Sequence, residues 1–252
     1  MSDSQKPYRW STSAAAESYD QAAPVIHPQY TAVQDQVLAC LPFAKDDEFL
    51  LVDLGGGSGR FVERFLERFA NASGVMIDQS EPFLAIAERR LARFGKRATT
   101  LQSRLQDDWQ KSLPAAPQAI VSMSAIHHLE PVEKRALYAR CYEALAPGGV
   151  FINGDEFRPE SDADYLAMLE RWAQHMQSAI SSGQIPAEFQ AIFDHWYNRN
   201  IREFGAPKMS GDDCLETLET QRGYLQSAGF QSINSPWADQ LWAALRACKQ
   251  PS

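Results

Sequence analysis

The sequence predicts an α/β fold, an open and mostly parallel sheet with helices on both faces. Three observations predict it. Short apolar runs of strand length alternate with amphipathic stretches of helix length between residues 48 and 153. The first run, Glu48–Leu54, is apolar on successive residues and leads straight into glycines, as a strand buried on both faces does. The length of 252 residues accommodates one such domain with an insertion.

The elements follow in order. Residues 1–18 are small and polar and are expected to order late or only against a ligand. Tyr30, Val33, Val37, Leu38 and Leu41 recur at helical spacing, and Pro42 closes that helix. After the strand at 48–54, Val62, Phe65, Leu66 and Phe69 mark one face of a helix over Arg60–Ala70. Gly74–Asp78 reads as the second strand. Glu81–Gly95 reads as a helix, with Pro82 in its tolerant first turn and Gly95 at its stop. Ala98–Gln102 and Gln118–Ser124 are the third and fourth strands. Pro131–Leu145 is a helix with Val132, Leu137, Cys141 and Leu145 inward, and Pro147-Gly148-Gly149 turns the chain into the fifth strand, Val150–Asn153.

The alternation then breaks. Asp162–Ser181 carries Tyr165, Leu169, Trp172, Met176 and Ile180 at helical spacing. Gly183 and Pro186 separate it from a second helix bearing Phe189, Phe193, Trp196 and Phe204. Asp212 or Asp213 is expected to cap a third helix, with Leu215, Leu218 and Leu225 inward and Gly229 at its end. Phe230–Trp237 and Leu241–Cys248 read as two closing strands, seven in all.

Composition narrows the function. The 24 Lys and Arg against 32 Asp and Glu give a net charge of −8, which argues against a nucleic-acid partner. No apolar stretch approaches the length of a membrane span or a secretory leader. The four cysteines, at 40, 141, 214 and 248, show no metal-ligand spacing. They read as reduced thiols of a cytoplasmic protein, and no metal is assigned.

The strongest motif is Asp53-Leu54-Gly55-Gly56-Gly57-Ser58-Gly59, between a strand and a helix. Glycines there let the backbone turn tightly and approach a ligand closely. The series Gly55, Gly57, Gly59 lacks the spacing of a pyrophosphate site, and no Gly-Lys-Ser/Thr follows for a nucleotide phosphate loop. Asp78 ends the second strand, where an acid can accept both hydroxyls of a ribose.

At these residues the chain resembles the class I S-adenosylmethionine-dependent methyltransferase family. The likeness covers roughly residues 45–155 and includes Ser124-Ala125-Ile126-His127-His128-Leu129 and the turn Leu145–Gly149. The resemblance implies a Rossmann-like seven-stranded methyltransferase sheet with a helical insertion after strand five, and S-adenosyl-L-methionine as cofactor. Residues 1–42 would be an N-terminal lid segment and helix, 43–155 the cofactor-binding core, 156–210 the helical cap over the substrate, and 211–252 the closing helix and strands. It implies that Gly55, Gly57 and Gly59, with Asp53, line the methionine part, and that Asp78 holds the ribose. Gln79 would sit beside the adenine, with Leu105 and Ser124 also against the cofactor. Tyr19, in a lid with His27-Pro28-Gln29-Tyr30, would reach the cofactor's carboxylate. Arg104 stands where the family often has an acid for the adenine amino group, so the backbone there or Asp107 would read adenine.

Methyl transfer from a sulfonium needs alignment more than a nucleophile or metal. A base is needed where the acceptor carries a proton. His127, His128, Asp155 and Glu156 follow the fourth and fifth strands and are the catalytic candidates, with His195 also considered. Trp172, His175, His195 and Trp196 are substrate-binding candidates on the insertion. Each has a plainer reading: histidines and acids that cap or pack, and an aromatic stripe that only joins helices. An aromatic stripe left exposed on the insertion would suit a homodimer. Acidic charge, size and the aromatic insertion favour a small-molecule acceptor. The alternatives are a tRNA or protein acceptor, which predicts a basic rim from Arg104, Arg158, Arg199 and Arg202, and a cofactor-modifying enzyme resembling carboxy-S-adenosylmethionine synthase.

Overall fold

The computed structural model describes residues 10–251. Seven strands form one sheet: β1 (Leu50–Leu54), β2 (Ser73–Asp78), β3 (Ala98–Gln102), β4 (Ala119–Met123), β5 (Val150–Glu156), β6 (Gln231–Asp239) and β7 (Trp242–Cys248). Their order is β3-β2-β1-β4-β5-β7-β6. The first five strands pair in parallel, and β7 runs antiparallel to both β5 and β6. Strand order reverses between β1 and β4, so a crevice opens at their carboxyl ends, where such sheets take ligands.

Alternate residues of each strand feed two cores. Leu51, Met76, Val121 and Ile152 face α2 (Tyr30–Cys40), α3 (Arg60–Arg68) and α4 (Glu81–Leu91). Val52, Ile77, Ile120 and Leu245 face α5 (Pro131–Ala144) and α8 (Leu218–Ser227). A third cluster lies over the strand ends. It joins α1 (Ser13–Ile26), α6 (Asp162–Ser181) and α7 (Gln190–Tyr197) to Leu241 and Trp242 of the β6–β7 hairpin.

Several expectations need correction. The segment expected to order late is, from Ser13 onward, helix α1, capped by Thr12; residues 1–9 lie outside the described residues. Its alanines are small enough to seat Ala16 beside Phe83 and Ala22 in the third cluster. The helix expected to run to Gly95 ends at Leu91 and tightens into a 3₁₀ stretch that Gly95 breaks at φ 56°. Val132 is 65% exposed; α5 buries Lys134, Leu137, Tyr138 and Cys141, a face that Val132 misses. The helix after the insertion starts at Leu218 under a Thr217 cap, because Asp212 and Asp213 are engaged elsewhere. The aromatic stripe is buried: Trp172, Phe189, Phe193 and Trp196 pack inside the third cluster, which removes the exposed face expected for a homodimer. No helix among the described residues is long and apolar enough to cross a membrane.

One buried charge ties α5 to the segment before α8. Lys134 is fully buried; its Nζ donates to Glu216 Oε2 (3.0 Å) and to the Cys214 carbonyl. Lys134→Ala should therefore cost about 3–5 kcal/mol of stability by urea unfolding, because it removes the cation paired with Glu216 and empties a fully buried site. Lys134→Met should recover at least half of that loss. A loss for alanine within about 0.5 kcal/mol of zero, the range of ordinary surface changes, would show that the contact carries no stability.

Candidate functional site

The loop after β1 is held by backbone alone. Gly55 N and Gly56 N both donate to Ile77 O (2.8 and 3.1 Å). Gly55 has φ 72°, and a Cβ there would lie 2.4 Å from the Ala125 side chain. Only glycine lets this loop press against the loop after β4. Gly57, at φ 55°, opens instead onto free space. Its N–H donates to Asp78 Oδ2 (2.9 Å), and Ser80 N–H donates to Asp78 Oδ1 (2.8 Å). Asp78 thus fixes the loop to the end of β2. Burial raises its pKa against the pull of those N–H groups. Beneath the loop, Asp53 is fully buried and neither carboxylate oxygen has a hydrogen-bond partner. Burial, and then the neighbouring Asp78, push its carboxyl up to about 8.

Helix α1 clamps the same loop from above. Asp20 accepts from Ser58 Oγ (2.5 Å), Arg60 Nε (2.8 Å) and Arg90 Nη2 (2.9 Å). Burial works to raise the Asp20 pKa, but the bonds from Arg90, Ser58 and Arg60 outweigh it and hold the carboxyl below its ordinary value. Ser80 Oγ donates to Trp10 O (2.6 Å), and the Trp10 ring packs on Tyr19 and Phe83.

At the ends of β4 and β5, three carboxylates and three imidazoles converge. His127 Nδ1 lies 2.5 Å from Asp155 Oδ1 and 2.8 Å from Glu156 Oε2. The backbone N–H groups of His127 and Glu156 also donate to Asp155 (both 3.0 Å). Glu156 Oε1 accepts from Trp242 Nε1 (3.0 Å) and Ser124 Oγ (3.2 Å). Ser124 reaches it from a left-handed backbone, φ 47°, a strained conformation for a serine. Burial opposes a charge on His127, yet Glu156 and Asp155 raise its pKa well above the ordinary value. The same pairing holds Glu156 below the carboxylate range against its burial.

His27, from the end of α1, completes the group. Its Nε2 meets Tyr19 OH at 3.0 Å, and its Nδ1 is 3.6 Å from Glu156 Oε1 and has no hydrogen-bond partner. Burial lowers its pKa, only partly opposed by Glu156. The segment after the insertion supplies the last acid. Gly211 N donates to His128 O and Cys214 N to His127 O (both 2.8 Å). This docking sets Asp213 Oδ1 3.9 Å from His127 Nε2 and 3.5 Å from His128 Nδ1.

Residues 52–151 match the sequence profile of a methyltransferase domain. The chain is 29% identical over 147 residues to the 23S rRNA (guanine(748)-N(1))-methyltransferase of Streptomyces fradiae, covering 56% of this chain and 46% of that protein. It is 25% identical over 195 residues to the carboxy-S-adenosyl-L-methionine synthase of Pseudomonas entomophila, covering 74% of this chain and 70% of that one. Against a trans-aconitate 2-methyltransferase of Acidovorax it is 33% identical over 100 residues, 40% of this chain and 35% of that one. The chain spans about half the length of most of the curated relatives it matches. Human N-acetylserotonin methyltransferase, solved with S-adenosylmethionine, has the same fold, with a TM-score of 0.64 at 15% identity over 95% of this chain and 57% of that chain. Residues 52–151 are a methyltransferase domain, and the seven-stranded fold is that of the class I S-adenosylmethionine-dependent methyltransferases.

The residues present fit that family's cofactor. It is a cation at its sulfonium and amino groups, and the loop offers a buried carboxylate, Asp53, that no protein group satisfies. A Cβ at Gly57 would meet nothing within 4 Å, so the loop is clear of side chains at that residue.

The other predicted positions separate into near and far. Gln79 and Arg104 are exposed, and Leu105 is half-buried, its carbonyl accepting from Arg140 Nη1 (2.9 Å). Ser124 points its hydroxyl into the acid cluster. Tyr19 spends its hydroxyl on His27. Trp172 donates from Nε1 to Ile26 O (2.7 Å) and stacks edge-on to Trp196 and Trp242, so both candidate tryptophans build the roof. His175 is exposed with Nε2 at Val25 O (2.6 Å), and His195 is exposed on the outer side of α7; neither joins the cluster. His27 and Asp213 are the members that sequence reasoning missed as site residues.

Two outcomes follow. The Asp53 pKa is raised on folding, so its stabilising protonation is fully present below about pH 4 and is lost as pH rises through about 8. Stability of the free chain should fall by a few kcal/mol (~2–4) across that window, and Asp53→Asn should flatten the fall; identical pH profiles would overturn the assignment. Asp20→Ala should release α1, raising amide exchange over residues 13–26 at least tenfold while β1 and β4 stay protected. Unchanged exchange in α1 would mean that the third cluster alone holds the lid.

Proposed function

We propose that the chain transfers the methyl group of S-adenosylmethionine to a small-molecule acceptor. The observation that carries this reading is the helical roof over the polar cluster. Helices α1, α6 and α7 pack against Leu241 and Trp242 at the end of β5, where His127 meets Asp155 and Glu156. Polar groups covered by helices suit a small acceptor rather than a macromolecular one. The arginines that a macromolecular reading needs are neutralised or scattered: Arg158 pairs with Asp162, Arg199 with Asp212 and Glu203, and Arg202 lies over Tyr197. Among the relatives, trans-aconitate and naphthoate methyltransferases carry small acceptors in their names.

In this reading Gly55, Gly57 and Asp53 take the methionine part, Asp78 the ribose, and Gln79, Arg104 and Leu105 the adenine edge. When bound, the cofactor supplies an electrophilic methyl on a good leaving group. The chain's own work is alignment, exclusion of water and movement of one proton. Two histidines divide the proton work. His127 is held as a cation by Asp155 and Glu156 and serves charge balance. His27 is neutral and presents an unpartnered Nδ1, as a proton acceptor for a hydroxyl or amine should.

A second reading rests on the Pseudomonas entomophila relative, which aligns over more of this chain than the other two. A carboxylated cofactor needs a cation beside it. The nearest basic groups of the insertion, Arg199 and Lys208, are already bonded to Asp212 and to Asn200 Oδ1, so methyl transfer is favoured.

Mass spectrometry of small molecules released from the purified chain separates the readings. S-adenosylmethionine or its demethylated product supports methyl transfer, and a ligand heavier by a carboxylate supports the second reading. Asp78→Ala should weaken binding of S-adenosylhomocysteine about 100-fold or more by calorimetry, on the scale of two charge-assisted hydrogen bonds; an unchanged affinity sinks the assignment. With an acceptor found by screening for released S-adenosylhomocysteine, His27→Asn should lower kcat about 100-fold with KM for S-adenosylmethionine little changed. An unchanged kcat would assign His27 to packing.

A further inference from the structure

We propose that His127, His128 and Asp213 form a binding site for a divalent transition-metal cation, with an open coordination position toward the acceptor. One donor atom from each of the three lies within 4.8 Å of the others. His127 Nδ1, between Asp155 Oδ1 and Glu156 Oε2 at 2.5 and 2.8 Å, carries the proton of those contacts. Its Nε2 faces Asp213 Oδ1 at 3.9 Å, too far for a hydrogen bond. A metal cation displaces the Nε2 proton, and bound to both atoms at about 2.0–2.2 Å it fits between them. His128 Nδ1 lies 3.5 Å from the same oxygen and 3.2 Å from Asp212 O; ligation through Nδ1 exchanges the second contact for the metal.

Two features mark this as a built site rather than a chance cluster. The carboxylate of Asp155 on the far nitrogen of His127 is the outer-shell partner that ligating histidines have, fixing tautomer and ring orientation. The backbone bonds from Gly211 to His128 and from Cys214 to His127 hold the acid against the histidine pair in one register. Asn200 Nδ2 donates to Asp213 Oδ2 (2.9 Å) and orients the carboxylate further. Two imidazoles and one carboxylate suit zinc, manganese or iron rather than magnesium or calcium. Three protein ligands leave a position open. Resting on the methyl-transfer reading, that position would take an acceptor oxygen and lower its pKa ahead of deprotonation by His27.

Metal binding is tested on the full chain alone. After dialysis against Zn²⁺ or Mn²⁺ and removal of excess metal, elemental analysis should show one equivalent per chain. Co²⁺ substitution should give visible absorption bands of a nitrogen–oxygen site. His128→Ala, at a half-buried position, and the isosteric Asp213→Asn should each weaken Zn²⁺ binding at least tenfold. His128→Ala should leave S-adenosylhomocysteine affinity within threefold. Substoichiometric metal in the native chain, or native affinity in both variants, would overturn the site. Retained metal with no S-adenosylhomocysteine binding would instead overturn the methyl-transfer reading and leave the site standing.

Discussion

The contact on which the rest depends is the pairing of His127 with Asp155 and Glu156. Two adjacent carboxylates at the end of one strand are buried almost completely. Neither could stay ionised there without compensation, since desolvating a carboxylate costs several kcal/mol even after relaxation. The compensation comes from one imidazole, three backbone or amide N–H groups on Asp155, and the Trp242 indole and Ser124 hydroxyl on Glu156. The donors come from β5 itself, the turn after β4 and the start of β7. The left-handed Ser124, the 3₁₀ turn at 126–128 and the β6–β7 hairpin all have positions fixed by that requirement.

Helix α1 is coupled to the glycine loop by the same physics at lower burial. Asp20 bridges α1 to Ser58 and Arg60 of the loop–helix junction and to Arg90 of α4. Movement of α1 therefore exposes two arginines and one acid together, and also carries His27 away from Glu156. Order of the glycine loop and placement of the His27 imidazole are thus tied to the seating of one helix.

Local chemistry was legible in the sequence, and long-range chemistry was not. The acid–glycine loop and Asp78 announce themselves because strand, turn and helix are contiguous, and each glycine answers a local steric demand. The fold class followed from the same alternation. The helical state of α1 was not read because its buried face is alanine, which carries no hydrophobic period until Phe83 and Trp10 are set beside it. Val132 was misplaced because the five residues to Leu137, at about 100° each, leave it roughly 140° around the helix from the face of Leu137 and Cys141. Asp213 was taken for a helix cap because nothing local distinguishes a capping aspartate from one that backbone pairing at Gly211 and Cys214 carries across to a histidine pair 85 residues earlier.

The two inner histidines show why placement rather than residue type sets chemical role. His127 is buried and His27 nearly so, and both approach Glu156. His127 meets two carboxylates at hydrogen-bond distance and gains more from them than burial costs, so its charged form is favoured. His27 stands 3.6 Å from one carboxylate and spends its other nitrogen on a tyrosine hydroxyl, so burial wins and its neutral form is favoured. About one ångström of separation decides the sign, because a hydrogen-bonded ion pair offsets desolvation while a near miss does not. Helix α1 supplies that ångström, so its seating sets which form of the His27 imidazole is favoured.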